Sequence, residues 1–198
     1  MSGAPSLKVG RAEADRHPAG AATAAPRVLN LGCGRRRVEG ALNVDVTAET
    51  GPDVLHDLNV RPWPFADDSF DEVLAHDVLE HLSETVATLE EVHRVCRHGA
   101  RVKLTVPHYS CSNAFTDPTH RHYFGRFSFG YVTEGHDLSF YSGARFAERS
   151  CQIVFHPTLL NKLVWRLANR YPAEYERRWA WIFPAWFLSV ELEVVKRG

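Results

Sequence analysis

The sequence has little of what would mark a secreted, membrane-spanning or nucleic-acid-binding chain. It holds only four cysteines, Cys33, Cys96, Cys111 and Cys151, and no CxxC pair among them. That spacing offers neither a zinc ribbon nor a thiol redox pair, and it points to reduced thiols in a cytoplasmic protein. No stretch reaches the roughly 20 apolar residues that span a bilayer. The most apolar segment, Trp179 to Val190, is shorter and is broken by Pro184. The formal net charge of −1 gives no electrostatic case for nucleic acid or an anionic membrane. No internal repeat is present.

What is there fits one globular domain. A chain of 198 residues can bury a sufficient core, and 44% hydrophobic with 24% charged residues is ordinary for a soluble fold. Met1 to Pro26 is rich in Ala, Gly and Pro and lacks the apolar core of a signal peptide. It is expected to be a disordered tail, the alternative being a lid that orders over a ligand. The folded domain is expected over 27–198.

Apolar runs closed by Gly or Pro predict strands. Arg27-Val-Leu-Asn-Leu31 enters the turn Gly32-Cys33-Gly34, and Ala41 to Val46 follows. Asp53 to Asp57 is short, and Phe70 to Ala75 comes after the stiff loop Pro62-Trp-Pro-Phe65. Val86, Leu89, Val92 and Val95 lie close to one face of a helix over 84–97, stopped at His98-Gly99. Ala100 to Val106, Cys151 to Phe155 and Ser189 to Lys196 complete seven strands. Strands alternating with long connections predict an α/β, Rossmann-like, doubly wound and mostly parallel sheet, with an antiparallel last strand. Only Arg35 to Gly40 separates the first turn from the second strand, so the first helix is shortened or missing, since a crossover needs at least about 10–12 residues.

A parallel sheet binds ligands at the carboxyl ends of its strands. There stand Gly32 and Gly34, which let backbone approach a ligand. Asp45 is placed to accept from ribose hydroxyls. Asp57 could read an adenine amino group while Leu58 packs its ring. His76, Asp77 and His108 follow the fourth and fifth strands. Each alone is weak, since such turns and acids are commonly structural. Their order along the chain strengthens them together.

These stretches resemble class I S-adenosylmethionine-dependent methyltransferases, most closely small bacterial methyltransferase-domain proteins. The likeness lies in Leu29-Asn-Leu-Gly-Cys-Gly34, Asn43-Val-Asp45, Asp57-Leu58, Pro64 to Val73 and Val78-Leu-Glu-His-Leu82. It covers Arg27 to about His108. The resemblance implies that Leu31, Gly32, Cys33 and Gly34 border the methionine part of the cofactor. It implies Asp45 and Val46 at the ribose, Asp57 and Leu58 at the adenine, and Ala75 and His76 between the methionine end and the acceptor. Arg36 stands near the usual third glycine, so Arg35 or Arg36 could take the methionine carboxylate.

The segment from Val106 to Phe124 is rich in imidazole. Methyl transfer needs an aligned nucleophile and a proton acceptor, and histidine suits that role near neutral pH. His81, His108 and His120 are the candidates, with Asp117 to orient one of them. The bland reading makes Asp117-Pro-Thr-His120 a capped turn and His81 a structural residue. A metal set of Asp117, His120, His122 and His108 is conceivable chemically, but the spacing matches no strong ligand signature, so no metal ligand is assigned.

Leu159, Leu160, Leu163, Val164 and Leu167 predict an amphipathic helix inside an insertion, 157–188, followed by Trp179, Trp181, Phe183, Trp186 and Phe187. These side chains could pack the core, wall an acceptor site as a lid, or form the face of a homodimer. The expected activity is transfer of a methyl group to oxygen or nitrogen of a small-molecule acceptor, yielding S-adenosylhomocysteine. The alternatives are a cofactor-binding regulatory or assembly protein without turnover, and a metal-dependent enzyme using the loop 108–122.

Overall fold

Every second residue of the central strands is apolar, and the sheet sorts its two faces accordingly. The computed structural model describes residues 27–196. Its strands are β1 (Val28–Leu31), β2 (Ala41–Asp45), β3 (Val54–Leu55), β4 (Phe70–His76), β5 (Cys96–Pro107), β6 (Phe146–Val154) and β7 (Phe187–Val194). The helices are α1 (Thr85–Val95), α2 (Asn113–Thr116), α3 (Leu159–Arg170) and α4 (Pro172–Arg178). The strands form one sheet in the order β3-β2-β1-β4-β5-β7-β6. β1 to β5 run parallel, and β7 is antiparallel to both β5 and β6. This is the Rossmann-like α/β sheet expected, with its antiparallel last strand.

Register aligns the faces. Leu29, Val73, Val102 and Leu192 form one row, and Leu31, Ala75, Leu104 and Val190 the next. All eight are buried. α1 covers this face with Leu89, Val92 and Val95, also buried. Burying such side chains supplies roughly 1.5–3 kcal/mol each.

The opposite face is polar. Its row runs Asn43, Asn30, Leu74, Lys103 and Glu191. Lys103 pairs with Glu72, and Arg101 pairs with Glu191. Among the described residues no helix joins β1 to β2, which agrees with the short connector. The loop packs on two buried asparagines instead. Asn43 Oδ1 accepts from Val38 N–H at 2.8 Å and from Asn30 Nδ2 at 2.9 Å, while Asn30 donates also to the Arg36 carbonyl. Asp53 accepts from Asn43 and pairs with Arg37.

The structure moves several predicted boundaries. The helix stops at Val95, not Arg97, because Cys96 is already extended. Gly99, at φ 79°, makes a bend within β5 rather than a helix stop. β6 starts at Phe146, five residues earlier than Cys151, and β7 runs Phe187–Val194 rather than to Lys196. The expected tail, 1–26, and its lid alternative lie outside the described residues.

Within the insertion, Thr158 caps α3 by accepting from Asn161 N–H. Asn169 at its far end both accepts from Ile153 N–H and donates to the Ile153 carbonyl, on the outer strand β6. Most of the predicted apolar stripe of α3 does not pack inward: Leu159, Leu160, Leu163 and Leu167 are exposed, Val164 packs partly buried against the core, and only Ala168 of the helix is buried. Trp179, Trp181 and Trp186 keep substantial exposure too, whereas Tyr175 and Ala185 join the core.

Candidate functional site

The carboxyl ends of β1, β2 and β4 come together in the order the sequence implies. Gly32 has φ 55°, and a Cβ there would lie 2.5 Å from Val78 Cγ2, so the turn needs glycine. Gly34 has φ 49°, and a Cβ there would meet nothing within 4 Å. Space therefore lies open over the turn. Gly34 N–H donates to Asp45 Oδ2 at 2.7 Å, and Thr47 N–H to Asp45 Oδ1 at 2.9 Å. Each carboxylate oxygen thus accepts one backbone bond and keeps a lone pair for a further donor. Cys33 is buried, Val46 is exposed, and burial pushes the Cys33 thiol up from its usual pKa.

After β3, Asp57 Oδ1 accepts from Asn59 N–H, and Leu58 is buried beneath Trp63, whose Nε1 donates to the Leu58 carbonyl. Ala75 is fully buried, and His76 is exposed beside Thr105. Two glycines that leave the backbone approachable and two acids that accept hydrogen bonds fit an adenosyl group in their chemistry.

Beside this end of the sheet opens a cavity of about 880 Å³. His76, Asp77, Glu80, His81, Thr105, Asp117 and His120 supply its polar wall, and Pro107, Trp186 and Phe187 its apolar one. Arg36 reaches it as well, 3.4 Å from Asp77. Asp77 sits at φ 56°, unusual for a residue with a side chain, and accepts from Thr105 Oγ1. Asp45, Asp57 and Leu58 lie outside the cavity lining.

Backbone docking builds the polar wall. Val78 turns into a single 3₁₀ turn, Leu79–His81. The Glu80 carbonyl accepts from Arg121 N–H at 2.7 Å and from His122 N–H at 3.3 Å. That brings the imidazole-rich segment against the turn. His122 then bonds the Ser83 carbonyl through Nε2. His81 Nδ1 lies 2.8 Å from Thr119 Oγ1, which donates to Asp117 Oδ1 at 2.6 Å. Since the hydroxyl hydrogen goes to Asp117, Nδ1 of His81 must be the donor, and its Nε2 carries a free lone pair. His120 Nδ1 faces the Ala114 carbonyl at 3.1 Å, so it too donates, and its Nε2 makes no hydrogen bond, Asp117 Oδ2 lying 4.0 Å away. The rings meet edge to face at 4.7 Å.

Charge follows from these surroundings. Burial pushes the Glu80 carboxyl up to about 7, helped by Asp77 and Asp117. Burial, and then His120, pull His81 down. The two bonds from Thr119 hold Asp117 below the usual carboxylate range. The Asp117 turn is the capped turn of the bland reading, because Thr119 N–H donates to Asp117 Oδ1 at 2.8 Å. The same turn also presents His120 to the cavity.

His108 departs from expectation. It is fully buried and does not line the cavity. Ser110 N–H donates to its Nδ1, so its Nε2 donates to Glu176 of α4 at 3.2 Å. His108 ties the end of β5 to the insertion. The set His108, Asp117, His120 and His122 therefore does not converge. The sequence reading missed Glu80 altogether. Its one signal was an acid between Leu79 and the His81-Leu82 pair, in a turn of otherwise apolar character.

Comparisons with known proteins bear on the fold and on one stretch of the chain. A family model, Methyltransf_11, described as a methyltransferase domain, matches residues 38–104, about a third of the chain. No curated protein matches. Among solved structures, the chain is similar to a SAM-dependent methyltransferase from Archaeoglobus fulgidus at 18% identity and TM-score 0.59, covering 85% of this chain and 86% of that one. It is similar to the YcgJ protein from Bacillus subtilis at 17% identity and TM-score 0.55, covering 87% and 93%. An S-adenosylmethionine-dependent methyltransferase from Mesorhizobium loti gives 18% and 0.52, covering 85% and 90%. The chain thus matches a methyltransferase domain over residues 38–104 and shares the fold of solved S-adenosylmethionine-dependent methyltransferases.

Proposed function

We propose that this chain transfers a methyl group to oxygen or nitrogen of a small-molecule acceptor held in the cavity beside β4 and β5. The observation that carries the reading is the pair of free Nε2 atoms on His81 and His120, fixed by their Nδ1 bonds at the mouth of the strand ends. Bound S-adenosylmethionine supplies an electrophilic methyl group on a sulfonium. Leu31, Gly32, Cys33, Gly34, Ala75 and His76 would flank its methionine part, Asp45 and Val46 its ribose, and Asp57 and Leu58 its adenine.

The chain's own residues align the acceptor and hold its proton. A neutral imidazole at His120 or His81 accepts that proton at Nε2. Asp117, acting through Thr119, orients His81 and favours its charged form. His108, buried away from the cavity, is given no part in the reaction. Trp186 and Phe187 form the apolar side that an acceptor would lie against, so part of the insertion 157–188 walls the site. A volume of about 880 Å³ suits a small molecule, and the net charge of −1 gives nothing to hold nucleic acid.

Two further readings belong to this proposal. Among the described residues no helix is long and apolar enough to cross a membrane, and with unpaired thiols this supports a cytoplasmic enzyme. The exposed stripe of α3 supports a homodimer. The test of the function is calorimetric titration with S-adenosylmethionine, then a screen of hydroxyl and amine acceptors for release of S-adenosylhomocysteine. Binding near one per chain with turnover supports the reading, binding without turnover favours a regulatory protein, and no binding sinks it.

A further inference from the structure

We infer that Glu80, His81 and His120 form a binding site for a single divalent first-row transition-metal ion, Zn²⁺ or Fe²⁺, in the wall of the cavity. This goes beyond methyl transfer and does not depend on it.

Three observations converge. One potential ligand atom from each residue lies within 4.8 Å of the other two. Ligands about 2.0–2.2 Å from an ion sit roughly 3–3.5 Å apart, so closure asks for side-chain shifts of about 1 Å. Next, both imidazoles already have the tautomer that ligation needs. The Nδ1–H of His81 is given to Thr119, itself bonded to Asp117, and that of His120 to the Ala114 carbonyl. Metal-bound histidines characteristically donate their other nitrogen to a carbonyl or a carboxylate in this way.

The third observation is Glu80. Its side chain is 1% exposed, it lines the cavity, and neither carboxylate oxygen has a hydrogen-bond partner of good geometry, its own backbone N–H being the one donor nearby. A buried carboxylate without a partner is costly. A cation between Glu80 and the two imidazoles satisfies it. Two imidazoles and one carboxylate with open positions suit zinc or ferrous iron rather than calcium or magnesium, which take oxygen ligands. Asp77 and Asp117 add negative charge nearby, and Arg36 opposes it from the far side of Asp77. The Nε2 atoms serve one role at a time, so an ion held there displaces them as proton acceptors.

The test uses the full chain without an affinity tag, stripped by chelator and titrated with Co²⁺ as a spectroscopic stand-in. One equivalent should bind with visible d–d absorption, and Zn²⁺ should displace it. Glu80→Gln and His120→Ala should each weaken binding by ~100-fold, and Thr119→Val, which removes the partner of His81, by ~10-fold. Circular dichroism checks that each variant folds, and Thr119→Val, at the surface, carries the test if Glu80→Gln does not. Absence of d–d absorption, or affinity unchanged in every folded variant, overturns the site. Heat of S-adenosylmethionine binding, measured on the same stripped samples, keeps the methyl-transfer reading separate. Cofactor binding without cobalt removes the ion alone, and cobalt without cofactor removes the methyl-transfer reading alone.

Discussion

Asn43→Ala should cost far more than an ordinary polar-to-alanine change, because it unfastens the loop that stands where a helix is expected. Asn43 is 2% exposed. Its Oδ1 is the acceptor for Val38 N–H and for one N–H of Asn30. Its Nδ2 donates to the carbonyls of Val38 and Ala41 and to Asp53. The Val38 carbonyl keeps another donor, Ala41 N–H, so the two stranded donors dominate. Each costs about 1–3 kcal/mol. Water can reach the loop side, so the lower half of the sum applies, ~3 kcal/mol. That is a large share of a total stability of roughly 5–15 kcal/mol. Urea unfolding followed by far-UV circular dichroism reads the change as a shifted midpoint at unchanged slope. Asn43→Leu keeps the volume and should lose nearly as much, since it returns no acceptor. Cofactor affinity should fall in both, because the turn 32–34 is continuous with the loop. A loss of about 0.5 kcal/mol or less, the range of surface changes, with full cofactor binding, would show that the loop is anchored elsewhere.

Other consequences are testable more briefly. Gly32→Ala should destabilise by about 1–2 kcal/mol from its left-handed backbone alone, with more from the approach to Val78; Val78→Ala should restore only the second part, and full restoration in thermal melts would contradict the backbone argument. Asp45→Ala should weaken S-adenosylmethionine binding by ~10- to 100-fold, and unchanged affinity by calorimetry would remove Asp45 from the ribose. Glu91 is held below its usual pKa of 4.5 by Arg94, with Trp63 N–H adding a bond. A depressed carboxylate contributes stability that is whole above 4.5 and is lost as pH falls through the folded value. Unfolding midpoints measured from pH 7 down to about 3 should thus fall less steeply in Glu91→Gln, and equal slopes would refute this. Leu163→Glu should convert a dimer to a monomer in sedimentation, whereas a wild-type monomer would leave α3 without that role.

Much of the fold was legible because short apolar runs ended in Gly or Pro. The runs ending at Leu31, Ala75 and Val106 were read as strands, and pairing puts Leu29, Leu31, Val73, Ala75, Val102 and Leu104 on one buried face. The errors fell where local signals compete. Gly99 resembles a helix stop, yet the chain had turned extended at Cys96, three residues earlier. Phe146 to Ser150 reads as polar and irregular, but pairing with β7 makes it strand. The stripe on α3 was read correctly as amphipathic, while the side it would show was not encoded locally. The positions of Gly32, Gly34 and Asp45 at strand ends were legible because strand ends announce themselves. His108 and His120 were not separable, since what seals His108 is Glu176, which returns from the insertion. Glu80 was invisible because its burial comes from the docking of Arg121 and His122, some forty residues away.

The clamp of Asn169 on Ile153 has a meaning for how the chain matures. β6 is the rim of the sheet, and a bare rim offers its peptide groups to any passing strand. One asparagine imitates a neighbouring strand there, giving and taking a hydrogen bond with a single residue. That imitation exists only while α3 lies in place. Whenever α3 lifts, the rim is uncovered beside a leucine stripe that is exposed already. A single local opening thus sets a template for pairing next to an adhesive patch.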